Sequence, residues 1–352
     1  EMLGNWSFGD YYKREAIEWA WELLTEVWKI PKEKLYATIY KDDSEAGELW
    51  ASHTDIDPSR ILKFGDKEYF WEMGDIGPCG PCSEIHIDKG PDFCNMKDVK
   101  SHKCGVNGDC DRFIELWNLV FIQYNRKSDG SLEDLPSKHV DTGAGFERLV
   151  AVLQDCDSNY DTDIFMPLLT AISKLSGVEY VAGPEGMPHR VIGDHIRALV
   201  FSIGDGLYPS NEGRGYVLRR LLRRAQIFGR KIGLNKPFLY SLVRELTETM
   251  GYIFPEISLN REIIENVIKS EEERFLKTLD NGMILFEEFL EKIKKSSKEK
   301  GGVRLIPGID LFKLYDTFGF PIEVTTDLAE ENGFGIDRAG FDKAMEEQKE
   351  RG

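Results

Sequence analysis

Phe113-Ile114-Glu115-Leu116-Trp117-Asn118-Leu119-Val120-Phe121 is the stretch that decides the fold. Together with the residues up to Asn125 it is long and rich in β-formers, as a central strand should be. Strict alternation places Glu115, Trp117, Leu119 and Phe121 on one face, and Leu116, Asn118 and Val120 on the other. A glutamate among apolar neighbours is costly unless a cation or metal pairs with it. Mg²⁺ bridging phosphates meets that need, because hard cations take oxygen ligands. The competing reading is an edge glutamate facing water. Asn118 beside Val120 offers a hydrogen bond against a short apolar wall, a setting that suits a small amino acid.

Working outward, Asp10–Trp28 has helical spacing, Leu35–Tyr40 reads as a strand and Asp43–Ser52 as a short helix. Strand-like runs follow at Ile61–Phe64, Tyr69–Met73 and Ser83–Asp88. Glycine turns join these strands without regular βαβ alternation, which predicts an antiparallel sheet in an α+β domain over residues 1–157. Beyond Tyr160 the periodicity becomes helical, at Ile164–Leu175, His189–Ile203, Gly213–Lys231, Lys236–Met250 and Leu259–Lys295. Shorter helices fit Ile309–Thr317, Ile322–Asn332 and Ala339–Arg351, with Ser296–Gly302 as a polar loop. Residues 158–352 are therefore expected to form an all-α domain.

Asp141-Thr142-Gly143-Ala144-Gly145-Phe146-Glu147-Arg148-Leu149 puts a carboxylate and two glycines ahead of an amphipathic helix with an arginine one turn in. Glycine lets backbone approach a ligand, a helix N-terminus favours anions, and arginine grips phosphate with a two-pronged fork. The combination suits a nucleoside triphosphate beside a small ammonium-bearing substrate; an ordinary glycine turn is the bland alternative.

Gly74-Asp75-Ile76-Gly77-Pro78-Cys79-Gly80-Pro81-Cys82-Ser83-Glu84-Ile85 reads as a rigid turn opening into a strand. Its Cys79 and Cys82 could be half of a zinc site completed by Cys104 and Cys110, or with Cys94 or His102. Small buried residues of a turn is the other reading, favoured because the remaining thiols lie in an irregular loop without a second Cys-x-x-Cys.

The 352 residues carry a net charge of −17, which argues against indiscriminate nucleic-acid binding. One local patch departs from that mean. Arg214, Arg219, Arg220, Arg223, Arg224, Arg230 and Lys231 face a single nearby acid, Glu212. The four middle arginines share one helix face opposite Val217, Leu218, Leu221, Leu222 and Ala225. A solvated face with local ion pairs is the ordinary reading; the missing sequence-local acids tilt it towards phosphate or RNA contact. Six cysteines are few for this length and argue for a reducing cytoplasm over a disulfide scaffold. No apolar run of eighteen residues exists to span a membrane, so no membrane partner is expected. Residue 1 is Glu1, so the chain looks cut from something longer.

Seven blocks in chain order then resemble the alanyl-tRNA synthetase family. They are Glu1–Asp10, the Gly74–Ile85 turn, Glu115–Val120, Asp141–Leu149, His189–Arg197, Pro209–Arg220 and Leu314–Pro321. The resemblance implies a class II antiparallel catalytic sheet followed by a helical tRNA-recognition domain. It implies activation of L-alanine with ATP and Mg²⁺, then transfer to the 3′ end of tRNA(Ala). By the match to motif 3, Arg148 binds the ATP γ-phosphate and Asp141 the alanine ammonium. Trp71, Asn118, Val120 and Gly143 match the amino-acid pocket, with Asn118 towards the carboxylate. Glu115 matches the Mg²⁺ carboxylate. Met2–Phe8 matches the returning strand of motif 2, so Met2 and Phe8 fall to ATP. Asn211 and Asp316 match the pair that reads a G·U wobble in the acceptor stem.

Motif 1 and the first part of motif 2 are expected ahead of Glu1. The His-x-x-x-His and Cys-x-x-x-His zinc motifs of the family's separate editing domain are not expected here. Two alternatives to the charging enzyme remain open at this point: a tRNA-binding fragment without chemistry, and a class II ligase for glycine or serine.

Overall fold

The computed structural model describes residues 1–300 and 304–349. The chain divides into two compact units, Glu1–Thr162 and Asp163–Gly352.

In the first unit the elements run β1 (Met2–Leu3), β2 (Trp6–Phe8), α1 (Lys13–Glu22), β3 (Leu35–Tyr40), α2 (Ser44–His53) and β4 (Ile61–Phe64). Next come α3 (Asp66–Tyr69), β5 (Phe70–Glu72), β6 (Gly77–Asp88), β7 (Phe113–Arg126), β8 (Leu132–Gly145) and α4 (Phe146–Leu153). The strands form one eight-stranded sheet in the order β1-β8-β7-β6-β3-β4, with β2 also on β8 and β5 also on β6. β7 is central, as its composition demanded. Every pairing is antiparallel except β3 with β4, which run parallel because α2 carries the chain back between them.

One face of the sheet is a dry core. Ile85, Leu116, Trp117, Leu119, Phe121, Val140 and Ala144 pack against Ala16, Ile17, Ala20, Trp21 and Leu24 of α1 and its continuation, and against Trp50 of α2. Fully burying one such Leu, Ile or Trp side chain contributes roughly 1.5–3 kcal/mol. The opposite face carries the polar residues described below.

Two sequence expectations change here. Gly77–Cys82 is not a turn but the first half of β6, and Asp141–Gly145 is not a turn but the end of β8. Both segments are poor in β-formers; they are strands because β7 offers ladder partners along both edges, a tertiary effect that composition does not carry. Glycine is required at position 80 for this packing: an added Cβ would lie 2.0 Å from the Phe121 carbonyl oxygen. Gly80→Ala is therefore expected to lower stability by about 3 kcal/mol or more, read from the urea midpoint. A shift under about 1 kcal/mol would mean the strands part freely.

The second unit contains α5 (Met166–Ser176), α6 (Met187–Gly204), α7 (Gly213–Lys231), α8 (Leu239–Met250), α9 (Pro255–Leu259) and α10 (Arg261–Lys300). β9 (Leu305–Ile306), α11 (Gly308–Phe318), α12 (Ile322–Glu331), β10 (Gly335–Ile336) and α13 (Arg338–Lys349) complete it. The expectation of an all-α unit needs one amendment, the short parallel ladder of β9 on β10. α10 extends through the 296–300 segment expected as loop; residues 301–302 and 350–351 of the expected elements lie outside the described residues. Its apolar stripe, Phe275, Leu279, Phe286 and Leu290, meets Leu311, Leu314, Phe320, Val324 and Leu328 in one core. No helix among the described residues is long and apolar enough to cross a membrane.

Within that unit, fully buried Glu272 of α10 accepts the amides of Phe238, Leu239 and Tyr240 at 2.8, 3.0 and 3.1 Å. It thereby satisfies amides at the start of α8 that have no partner within that helix. Burial pushes its carboxyl up to about 7 from 4.5, against the pull of those amides. A folded pKa above the unfolded value means this contribution is complete below about pH 4.5 and is lost as pH rises to about 7. Stability is expected to fall by about 3 kcal/mol across that window relative to Glu272→Gln. Urea titrations at several pH values test it, and parallel slopes in both proteins would refute it.

Candidate active site

The open face of the sheet is assembled from four neighbouring strands. Across β7 and β8, Val120 pairs with Asp141 and Asn118 with Gly143. Across β6 and β7, Glu84 pairs with Asn118 and His86 with Glu115. Across β2 and β8, Trp6 pairs with Asp141 and Phe8 with His139. Because cross-strand partners share a face, Asp141, Gly143, Asn118, Val120, Glu84, His86, Glu115, Trp6 and Phe8 all look the same way. Met2, paired with Gly145, joins them, and its Cε would be 2.8 Å from a Cβ at Gly143.

Glu115 corrects the strict alternation read from the sequence. The ladder slips between Ile85/Trp117 and His86/Glu115, leaving Leu116 as the extra residue of a β-bulge. Leu116 and Trp117 are consequently both buried in the core, and Glu115 moves to the face of Asn118 and Val120. Burial first, then the charge of Glu84, raises the Glu115 carboxyl above its usual range, while Arg148 and His86 pull it back.

Arg148 sits in the first turn of α4. Its Nη1 donates to the Glu115 carbonyl oxygen at 3.0 Å and lies 3.5 Å from Glu115 Oε2. Its aliphatic stem crosses Gly145, where a Cβ would come within 3.3 Å of Arg148 Cδ. The glycine before the arginine thus clears the path of the stem. About half the Arg148 side chain remains exposed, so one edge of its guanidinium stays open to a ligand.

Asp141 is part-buried and paired in the ladder with Trp6 and Val120, and its carboxylate makes no hydrogen bond or ion pair among the described residues. Asn118 Nδ2 donates to Glu84 Oε1 at 3.2 Å, while its Oδ1 is buried without a hydrogen-bond partner. One N–H of the Asn118 amide is thus used by Glu84, and a second N–H remains beside the unpartnered Oδ1. Val120, Cys82 and Tyr69 cluster with Trp71 packed against them, which brings two pocket walls together.

The sequence reading missed the group at the centre of this face. Glu84 Oε2 accepts from Tyr69 Oη at 2.6 Å and lies 2.9 Å from His86 Nε2. Asn107 Nδ2 donates to the same Tyr69 oxygen at 2.7 Å. Burial, then the bond to Glu84, holds the Tyr69 hydroxyl protonated far above the usual phenol range. A period-2 reading of Cys82-Ser83-Glu84-Ile85-His86 would have flagged Glu84 and His86 as polar residues on one strand face. The same five residues do form a Cys-x-x-x-His spacing, from Cys82 to His86, which was not expected here. Here the spacing belongs to β6 of the sheet, where His86 serves Glu84.

Among the described residues Cys79 and Cys82 join no cluster of possible metal ligands. The cysteine and histidine atoms that come together there belong to Cys94, His102, Cys104 and Cys110. Cys79 and Cys82 are buried in β6, as the smaller reading held.

In the second unit the arginine row of α7 has the acids it lacked in the local sequence. Arg219 Nε lies 2.8 Å and Arg223 Nη2 3.2 Å from Glu271 of α10. Arg220 reaches Glu323 at 3.2 Å and Arg224 reaches Asp327 at 2.8 Å, both on α12. Arg230 pairs with Asp280 and Lys231 with Glu331. Arg219 is itself buried, and Val217, expected in the core, is exposed. The row is chiefly a packing seam, because helices distant in sequence bring carboxylates to it. Arg214 differs: it is exposed and has no ion pair among the described residues. Asn211 and Asp316 are both exposed, Asn211 accepting from Arg219 and Asp316 from Gln348 at 2.9 Å.

A sheet helix-packed on one side, with carboxylates and an arginine on its open side, followed by a helical unit, is the layout of a class II tRNA synthetase. The model for tRNA synthetases class II (A) matches residues 1–352, and the chain belongs to that family. Over its whole length it is 56% identical to the alanine–tRNA ligase of Chlorobium chlorochromatii. The corresponding figure is 56% for that of Chlorobaculum tepidum and 50% for that of Lawsonia intracellularis. The chain spans 39% of the length of each of these relatives.

Proposed function

We propose that this chain carries the alanine-activating and acceptor-stem-reading part of an alanine–tRNA ligase acting in the cytoplasm. The observation that carries the reading is Asp141, an unpaired carboxylate on the open face. The short wall of Val120 and Trp71 and the amide of Asn118 stand on the same side of the sheet. Together they fit the ammonium, methyl and carboxylate of alanine. In the first step the alanine carboxylate oxygen attacks the ATP α-phosphorus; the new O–P bond forms as the bond to the bridging oxygen breaks and pyrophosphate leaves. In the second, the terminal ribose hydroxyl of tRNA(Ala) attacks the activated carbonyl, and AMP departs with the electrons of the anhydride bond. No protein nucleophile is needed, so alignment and cationic stabilisation carry the rate.

In this scheme Asp141 orients the ammonium, the remaining Asn118 N–H the carboxylate, and Gly143 leaves room for the substrate against backbone. Arg148 holds the γ-phosphate, and Met2 and Phe8 flank the nucleotide. The face also fits Mg²⁺. Glu115 is a carboxylate raised by burial and by the Glu84 charge, and a divalent cation relieves both. Bound there, Mg²⁺ supplies charge neutralisation on the phosphates. In the helical unit, Asn211 and Asp316 retain free polar atoms for a G·U pair of the acceptor stem. Exposed Arg214, more than the paired arginines 219, 220, 223 and 224, supplies phosphate contact.

The test is ATP–pyrophosphate exchange in the full-length protein with alanine, glycine and serine in parallel. Alanine is expected to be the best substrate. Asp141→Ala is expected to raise the alanine KM by about 10²-fold or more, since a charged hydrogen-bonded pair is worth roughly 2–5 kcal/mol. Unchanged kinetics in Asp141→Ala would remove the ammonium assignment. A glycine or serine preference would make this a different small-amino-acid ligase.

A further inference from the structure

The chain between β6 and β7, residues 89–112, holds together without the usual means. Its only regular element is a three-residue turn of 3-10 helix, Pro91–Phe93. Long connections without secondary structure inside a compact unit call for a specific reason. Apolar burial does not supply one. Only Cys94, Val106 and Cys110 of this segment are buried, so two of the three interior positions are thiols.

Those thiols are not isolated. One Sγ each from Cys94, Cys104 and Cys110 and one ring nitrogen of His102 all lie within 4.8 Å of one another. Cys104 Sγ is 3.5 Å from His102 Nε2. A tetrahedral zinc with bonds of about 2.3 Å to sulfur and about 2.0–2.1 Å to nitrogen sets its ligand atoms roughly 3.5–3.8 Å apart. The four atoms therefore need only a small contraction to close around such an ion. Three soft thiolates and one imidazole form a closed set, which is the composition of a structural zinc site and leaves no position open for substrate.

The surroundings brace the ligands. Asn95 Nδ2 donates to Asp111 Oδ2 at 2.6 Å, tying the neighbour of Cys94 to the neighbour of Cys110. Arg112 grips Asp88 at the end of β6 with two bonds of 2.6 Å. Between Cys104 and Cys110 the chain turns tightly, with Gly108 N donating to Gly105 O at 3.1 Å and Asn107 at a φ of 57°. That turn carries Asn107 to the Tyr69 hydroxyl, and Tyr69 in turn bonds Glu84 on the open face of the sheet.

We propose that Cys94, His102, Cys104 and Cys110 bind one zinc ion, which fixes the 89–112 segment and seats Asn107 against the Tyr69–Glu84 pair. The site is independent of the aminoacylation reading: it would stand if the substrate were another amino acid. The sequence hid it because the ligand spacings are seven, one and five residues, while the conspicuous Cys-x-x-Cys lies elsewhere.

The experiment is metal analysis of the 352-residue chain purified reduced, incubated with zinc and freed of excess ion. About one zinc per chain is expected, with X-ray absorption showing three sulfurs and one nitrogen at the distances above. Cobalt in place of zinc should give thiolate charge-transfer absorption. Cys104→Ser, at an exposed position, should lower bound zinc at least tenfold, while Cys79→Ser and Cys82→Ser leave it unchanged. If Cys104→Ser fails to fold by circular dichroism, the absorption spectrum of the unaltered protein decides. Trace metal only, a Cys94–Cys110 disulfide in its place, or zinc lost on replacing Cys79 or Cys82 would each overturn the proposal.

Discussion

Replacing Arg148 with alanine is expected to lower alanine-dependent ATP–pyrophosphate exchange by about 10²–10³-fold, the usual effect of losing one preorganised donor to a reacting anion. Preorganisation is visible in the structure. The Glu115 carbonyl and carboxylate hold one edge of the guanidinium at 3.0 and 3.5 Å, and the stem has a fixed channel across Gly145. Arg148→Lys should recover only part of the loss, because an ammonium restores charge without the planar fork. The defect should fall on kcat and on the ATP KM, with the alanine KM little changed, since the hydrogen bond and ion pair of Arg148 go to Glu115 and not to Asp141 or Asn118. Exchange at the parental rate in Arg148→Ala would remove it from the nucleotide site.

Replacing Glu271 with alanine is the second large effect, and it is on stability. Glu271 is buried and receives Arg219 and Arg223 together. Burial lowers the pKa of the Arg223 guanidinium, and the Glu271 charge raises it. Removing the carboxylate strands buried Arg219 and part-buried Arg223, a loss of about 3–5 kcal/mol by comparison with other broken buried pairs. Urea unfolding measures it, with Arg244→Ala as control, because the pair of Arg244 with Glu248 is exposed and worth about 1 kcal/mol or less. A loss for Glu271→Ala no greater than the control would mean the α7 row is solvated after all. The same pairing bears on RNA: if Arg219 and Arg223 are committed to Glu271, Arg214→Ala should reduce tRNA affinity more than either does in a folded protein.

Local pattern carried the order of elements well, and the errors have a common cause. β7 was legible because its β-branched and aromatic run leaves no other reading. β8 was not, because Leu132–Gly145 contains a proline and two glycines and is a strand only against β7. Asp141, Asn118, Val120 and Arg148, the proposed site residues, stand out in the sequence by their motifs. Tyr69 and Asn107 do not, since the bonds that join them to Glu84 and to each other span 15 and 38 positions of chain.

By itself the sequence determined the antiparallel sheet built around β7, the change to helical periodicity near Tyr160, and the family, because those depend on residue type and local spacing. Only the tertiary structure decided which way Glu115 faces, since a single extra residue at Leu116 inverts the alternation and no local signal marks where it falls. Likewise it decided that the α7 arginines are paired and that Cys94, not Cys79 or Cys82, joins the other thiols. Charge pairing and metal ligation act between atoms a few ångströms apart, whatever their separation along the chain. That separation is all a linear reading has.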